Sequence, residues 1–299
     1  MLTRKRLLTL VTMSFLACFF SGPVRAEPLH VYVGEGQMPY ADFHEKPRGL
    51  FGELMVALCD RLQLDCQFRS VPWLRVQQLV AQDARGVLLN LGRTEERERQ
   101  FAWLLPVVRL PYVLHGLTRP LDSLEQALAA GPVAVMAGTP RARQLASVRQ
   151  GDQMVVEVTD PALAARMLHS HRVLAWYEVA GRGDYLWKQL GFAASALRAG
   201  PPLGHFDSYI AASPRFEDAD ALSRRMNQAF EAMQRDGTWQ ELLERHLGPH
   251  HAALVVMPTP EARRSLPTKP VPDAEGEVRE DIDPERRLEQ IERQQSHHQ

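Results

Sequence analysis

The sequence has no apolar run long enough to form a membrane-spanning helix, which takes about 20 residues. The stretch that comes nearest, Leu7–Phe20, is ended by Ser21-Gly22-Pro23. Basic residues at 4–6 precede it and the small residues Val24 and Ala26 follow it, as in a cleavable secretory signal. We therefore predict that residues 1–26 are a signal peptide and that the mature chain is exported. Two alternatives stay open: a retained anchor, and a lipoprotein acylated at Cys18 of "FLAC".

The sequence also lacks an excess of positive charge, with 35 basic residues against 36 acidic ones and a net charge of −1. Removal of residues 1–26 takes away four basic residues and no acidic one, which leaves a net charge of −5. Such a surface, without a basic stripe, repels phosphate. We therefore expect no nucleic acid as a partner.

Motifs of common hydrolytic sites are absent as well. The chain has no GxSxG, no HExxH and no Cys–His arrangement. The sequence thus gives no sign of hydrolysis, and we expect neither a cofactor nor a resident metal ion.

Cysteines are scarce, and only Cys59 and Cys66 lie beyond the predicted signal peptide. Their spacing is not usual for metal ligands, and no His or further Cys lies beside them. In an oxidising compartment paired thiols form disulfides. The pattern places Cys59 near a helix end and Cys66 at the start of a strand, which can bring the two Cα atoms close enough. We predict a disulfide, with two free buried thiols as the open alternative.

The chain divides into two segments of different composition. Residues 27–248 alternate short apolar strands with amphipathic helices, which indicates α/β layers with mostly parallel sheets. Residues 249–299 carry many prolines and charges and few apolar residues, which is typical of a disordered tail.

The stretch "LNLGRTEERERQFAW", residues 89–103, contains a cation that helix stability does not explain. Thr94 suits an N-cap, and Glu95 can pair with Arg99 four residues later. Arg97 lies in the first turn, where the helix dipole opposes a cation, and has no acidic residue three or four positions away. It is either an exposed surface charge or a functional residue.

The segment from 29 to 248 resembles family 3 of the periplasmic solute-binding proteins, the polar amino-acid binders of ABC transporters. The resemblance rests on short motifs in the family's order: "MPY" at 38–40, "GLFGEL" at 49–54, the cysteines at 59 and 66, Thr94, Arg97, Phe101 and Pro106 as "TxxR…F…P", "AGT" at 137–139, and "DGTWQELLERHLG" at 236–248.

The resemblance implies a two-lobe clamshell of the type II periplasmic-binding-protein class, with two crossover strands as its hinge. Residues 27–112 and 206–248 would form the first lobe and residues 113–205 the second.

The resemblance also implies which residues hold the ligand. Arg97 matches the arginine that grips a carboxylate, since a planar guanidinium holds two carboxylate oxygens at once. Thr94 belongs to the same motif, and Thr139 matches a position whose hydroxyl and backbone N–H face that carboxylate. A plain N-cap is the alternative for Thr139.

Aromatic residues can line such a pocket or pack in a core. Tyr40, Phe43, Trp73 and Trp176 are the candidates. Arg75 either adds a second cation near Trp73 or covers the lobe surface.

Three positions depart from the family pattern. Gly92 stands where members have Ser or Thr, and Phe51 stands where they have Asp. Where many members hold the ligand's amino group with Asp, this chain offers Tyr177 or Glu178, depending on a one-residue register. The ligand therefore need not be a standard amino acid.

Together these features predict a monomeric periplasmic protein that binds a small, carboxylate-bearing ligand for an ABC permease or a sensor. The alternative is an enzyme on the same scaffold, resembling the cyclohexadienyl dehydratases, with Glu178 as its general acid. A sensor ectodomain or a transglycosylase lobe would require a membrane span or a second domain.

Overall fold

The computed structural model describes residues 27–255. The predicted signal peptide, Cys18 and residues 256–299 of the predicted tail lie outside the described residues. Two groups of elements can be distinguished around one sheet, and we call them the first and the second lobe.

The first lobe is built mainly from the N-terminal part of the chain and closed by its two last helices. It contains β1 (Leu29–Gly34), β2 (Asp42–Phe43), β3 (Pro47–Arg48), α1 (Gly49–Leu62), β4 (Cys66–Val71), α2 (Trp73–Gln82), β5 (Gly86–Gly92), α7 (Ala219–Arg235) and α8 (Thr238–Leu254). Helix α1 buries Leu50, Leu54 and Leu58 at helical spacing. It packs on α7 and α8.

The second lobe comprises the middle of the chain. It contains α3 (Leu124–Ala130), β7 (Val133–Met136), α4 (Pro140–Val148), β8 (Val155–Val158), α5 (Pro161–His169), β9 (Ala175–Val179) and α6 (Ala180–Gln189). A proline begins both α4 and α5, following the side-chain caps Thr139 and Asp160.

Two long strands cross between the lobes, β6 (Ala102–Gly116) and β11 (Gly204–Ala212). The sheet order is β4-β1-β5-β11-β6-β9-β7-β8, and the short β10 (Arg198–Ala199) also pairs with β6. In this sheet the strands of each lobe pair in parallel, whereas β6 and β11 pair antiparallel with their neighbours. The short β2 and β3 form a separate antiparallel pair. The predicted α/β architecture with crossover strands is confirmed. Apart from β2 and β3, the strands of both lobes belong to one mixed sheet, because β6 pairs with β11 along its first part and with β9 near its end.

The disulfide prediction is confirmed. Cys59 in the last turns of α1 is bonded to Cys66, the first residue of β4, across a Cα–Cα distance of 6.3 Å. The bond ties the helix to the strand that follows it.

The start of the disordered tail, predicted at residue 249, is set too early. Helix α8 has a kink at Gly248, whose φ of 74° is left-handed, and then continues to Leu254. Ala252 is buried and Val255 packs against the core. The sequence did not predict this short helix, because it begins with a proline and two histidines, residues 249–251, that are poor helix formers.

Within residues 27–255, no helix combines the length and apolarity that a membrane crossing requires. Over the same residues, no three His, Cys, Asp or Glu side chains cluster as metal ligands would.

Candidate functional site

The two lobes meet around a small polar cavity beside the crossover strands. Its volume is about 20 Å³, enough for one water molecule by the usual requirement of roughly 10–15 Å³. The lobes therefore touch each other closely here. The lining residues are Gln37, Trp73, Asn90, Gly92, Arg97, Tyr112, Thr139, Pro140, Arg141, Arg182 and Phe206.

Arg97 is buried in this cavity, with 4% of its surface exposed. The turn Glu95–Arg97, a single 3-10 turn where a longer helix was expected, follows β5 and carries it inward. Its Nη1 donates to the Gly92 carbonyl at 3.0 Å and its Nη2 to the Gly138 carbonyl at 3.2 Å. Burial, followed by repulsion from Arg143, lowers the pKa of Arg97 to about 10, so the side chain is charged at neutral pH. No described carboxylate forms an ion pair with it.

Thr139 and Trp73 both lie next to Gly138. Thr139 is the N-cap of α4: its hydroxyl donates to the Met136 carbonyl at 2.7 Å and accepts from the Ala142 N–H at 3.3 Å. Trp73, at the start of α2 in the first lobe, donates from Nε1 to the Gly138 carbonyl at 3.4 Å. The Gly138 carbonyl thus accepts hydrogen bonds from two side chains of the other lobe.

A buried ion cluster of Glu178, Arg141 and Arg182 adjoins the cavity in the second lobe. The carboxylate of Glu178, at the end of β9, is fully buried and its Oε1 lies 2.7 Å from Arg141 Nη2 and 3.4 Å from Arg182 Nη1. The same oxygen accepts from the Val179 N–H at 2.7 Å. Glu178 therefore holds two arginines in place.

Arg141 also lies over an aromatic ring of the crossover strand β6. Its Cζ is 4.9 Å from the centre of the Tyr112 ring, close enough for a cation–π interaction. Burial raises the pKa of Tyr112 to about 12, which keeps its hydroxyl protonated.

A chain of amides and a hydroxyl lines the first-lobe wall. Ser208 donates to Asn90 Oδ1 at 2.8 Å, and Asn90 Nδ2 donates to Gln37 Oε1 at 3.3 Å. Gln37 Oε1 also accepts from Arg182 Nη2 of the second lobe at 2.7 Å. Asn90 has a φ of 58° within β5, and non-glycine residues with such strained backbones cluster at functional sites.

Three of the six predicted ligand-binding residues, Arg97, Thr139 and Trp73, line the cavity. The other three lie outside it. Thr94 is half-buried beside the turn, Glu178 lies in the ion cluster, and Tyr40 is buried under the Arg182 guanidinium, 5.6 Å from its Cζ.

The remaining sequence candidates also lie elsewhere. Phe43 stacks on Phe68 at the edge of the first lobe, Trp176 is buried against His115, and Arg75 is exposed. None of the three lines the cavity that contains Arg97.

Sequence reasoning missed Gln37, Asn90, Arg141 and Arg182. Asn90 is the one polar side chain in the buried run "GVLLNLG", and Arg141 follows Thr139 by two positions. Both were visible signals of a polar site. Gln37 and Arg182 meet only through tertiary packing.

Comparison with known proteins identifies relatives of the whole two-lobe region. The family model of the bacterial extracellular solute-binding proteins, family 3, matches residues 29–249. No curated protein matches the sequence closely enough to count as a relative.

Solved structures of similar fold cover most of the chain. A histidine kinase sensor domain with similarity to periplasmic binding proteins has a TM-score of 0.67 and 19% identity, over 78% of this chain and 98% of that one. An ancestral arginine-binding protein bound to glutamine has a TM-score of 0.62 and 20% identity, over 74% and 98%. An ancestral amino acid-binding protein, a precursor of cyclohexadienyl dehydratase, has a TM-score of 0.61 and 17% identity, over 74% and 95%. At these identities the likeness establishes the type II periplasmic-binding-protein fold.

Proposed function

Because the chain belongs to family 3 of the bacterial extracellular solute-binding proteins, we propose that it is a periplasmic protein that binds a small carboxylate-bearing ligand between its lobes. Members of this family bind small ligands and typically work with ABC permeases. Delivery to such a permease, or presentation to a sensor, is the role proposed here. The protein acts as a monomer in this proposal and needs no cofactor.

Arg97 is the observation that carries the proposal. Burying a cation without a carboxylate partner is costly, and the hydrogen bonds from Nη1 and Nη2 of Arg97 reach only backbone carbonyls. One of these, the Gly138 carbonyl, belongs to the other lobe and also accepts from Trp73. A ligand carboxylate oxygen that replaced the Gly138 carbonyl oxygen would receive the same two N–H donors and would add the missing negative charge. In this arrangement Thr139 contributes to the site indirectly, because it caps the start of α4 next to Gly138.

An enzyme resembling cyclohexadienyl dehydratase is the competing proposal, since a precursor of that enzyme shares the fold. Such chemistry needs a general acid within reach of the substrate. Glu178 is the one buried acidic side chain among residues 27–255. Its Oε1 contacts Arg141, Arg182 and the Val179 N–H. The Glu178 side chain does not line the cavity. This location favours the binding protein.

A thermal-shift screen of the purified protein tests the proposal. Small carboxylates are compared with the uncharged amides of the same carbon skeletons. We expect at least one carboxylate to raise the melting temperature while its amide does not, because a ligand bound only to the folded state stabilises it. Equal shifts for acids and amides, or no shift with any carboxylate, would contradict the proposal. Turnover of prephenate or arogenate would establish the enzyme instead.

A further inference from the structure

The buried charges of the cleft do not balance. Among the described residues, the buried arginine, lysine, aspartate and glutamate side chains are Arg97, Arg141, Arg182 and Glu178. Three cations face one anion, which leaves two positive charges in a place that water scarcely enters. Uncompensated buried charge is expensive. A ligand that carries two negative charges would remove the imbalance when the lobes close.

The three arginines differ in how far their donors are already used. Arg182 donates through Nη2 to Gln37 and through Nη1 to Glu178 and lies over the Tyr40 ring, so only its Nε lacks a hydrogen-bond partner among the described residues. Arg141 Nη2 lies 2.7 Å from Glu178 Oε1, but neither this nitrogen nor Nε has a hydrogen-bond partner of good geometry among the described residues. Arg97 has only backbone carbonyls. Arg97 and Arg141 are therefore the two cations that can still each receive an anionic group.

The two available cations come from different lobes. Arg97 follows β5 of the first lobe, and Arg141 lies in the first turn of α4 in the second lobe. Both line the cavity. A molecule with an anionic group at each end would be held by both lobes and would thereby favour closure.

No carboxylate side chain lies among the described residues that line the cavity. A positively charged amino group needs a free carboxylate or several free acceptors. Glu178, whose Oε2 is buried without a hydrogen-bond partner among the described residues, lies outside the lining. The side-chain oxygens of Asn90 and Gln37 already accept from Ser208 and Arg182. An ammonium group would instead approach the unbalanced arginines.

From this arrangement we infer that the ligand is a small dicarboxylate without an amino group, an inference that rests on the proposed function. One carboxylate is bound by Arg97 and the other by Arg141. Arg182, held by Gln37 and Glu178, keeps the second-lobe wall in place.

Calorimetric titration at pH 7.5 with two matched series tests the inference. Succinate and glutarate are the dicarboxylates. Succinamate and glutaramate replace one carboxylate by a neutral amide, and aspartate and glutamate add an amino group. We expect at least one dicarboxylate to bind about tenfold or more tightly than both of its matched analogues, because each analogue loses or opposes one charge pair.

The variant Arg141→Gln assigns the second carboxylate. We expect it to reduce the preference for the dicarboxylate over its half-amide to about twofold or less, since the half-amide never used that charge. Arg149→Gln is the matched control, because Arg149 lies at the end of the same helix, is exposed, and does not line the cavity. Its preference should equal that of the wild type. If Arg141→Gln does not fold, the wild-type ratios alone decide.

The outcomes separate the two proposals. A half-amide or amino acid that binds as tightly as the dicarboxylate would overturn the inference, and so would binding of other carboxylates while all six probes fail. The proposed binding function would survive both results. Absence of binding by every carboxylate would overturn both proposals.

Discussion

At the scale of single residues, His115 is a titratable group that is enclosed entirely by the fold. It lies on β6 against Trp176, and both ring nitrogens lack a hydrogen-bond partner among the described residues. Burial lowers the pKa of His115 to about 4, with a smaller downward contribution from His251, while Asp184 and Glu178 act in the opposite direction. The folded protein therefore holds this ring neutral.

This burial predicts an acid-sensitive step in stability. The unfolded chain binds a proton at His115 near the ordinary pKa of about 6.5, whereas the folded chain does so only near pH 4. The stabilisation is complete above pH 6.5 and is lost as the pH falls towards 4, by up to about 3 kcal/mol. Urea unfolding at several pH values should show a shallower decline for His115→Leu than for the wild type. Parallel declines would mean that His115 is protonated in the folded state.

Gly183 leaves room for the same ring. A Cβ atom added at Gly183 would lie 2.1 Å from Nε2 of His115, whereas one at Gly204 would meet its nearest neighbour, Tyr112, at 3.7 Å. We expect Gly183→Ala to lower the free energy of unfolding by about 1–3 kcal/mol, as overpacking of a tight core does. Gly204→Ala should change it much less. Similar unfolding midpoints in urea for the two variants would show that the helix moves away from His115 at little cost.

At the scale of elements, the helical turn after Gly248 connects the first lobe to the second. His251 lies 2.7 Å from Asp184 of α6, and Ala252 is buried. We expect a chain that ends at residue 248 to melt several degrees below one that ends at residue 255, because about 1 kcal/mol shifts the melting temperature by roughly 2–4 °C in a protein of this size. Equal melting temperatures, measured by circular dichroism, would mean that this turn adds no stability.

Local sequence patterns predicted the helices and strands, but they predicted only some of the residues that form the candidate site. Leucines at helical spacing predicted α1, and the position of Cys66 at the start of a strand predicted the disulfide. Arg97 was detectable because its charge conflicted with its helical position. The contact of Gln37 with Arg182 spans 145 positions of the chain, and no local pattern encodes such a pairing.

Glu178 illustrates the same limit. From the sequence, either Tyr177 or Glu178 could face the ligand, because successive residues of a strand point to opposite faces of the sheet and the register was not known. The partners of Glu178, Arg141 and Arg182, lie on two different helices. Sequence reasoning could place an acid near the cleft, but the decision between ligand contact and ion cluster depends on packing.

At the scale of the whole molecule, the excess positive charge at the lobe interface opposes closure until an anion is bound. The ligand-free protein should therefore open about the crossover strands β6 and β11, and binding should close it. Small-angle X-ray scattering is expected to show a smaller radius of gyration after a saturating carboxylate is added. An unchanged radius would indicate that the lobes do not move on binding.

The central claim, that Arg97 holds the ligand carboxylate, is tested most directly by calorimetric titration of the best-binding carboxylate into Arg97→Ala and Arg99→Ala. Arg99 is an exposed arginine two residues away and serves as the matched control. Loss of a buried charge-assisted contact costs about 2–5 kcal/mol, so Arg97→Ala should weaken binding by more than about tenfold. Arg99→Ala should bind like the wild type. Equal affinities of Arg97→Ala and the wild type would contradict the account.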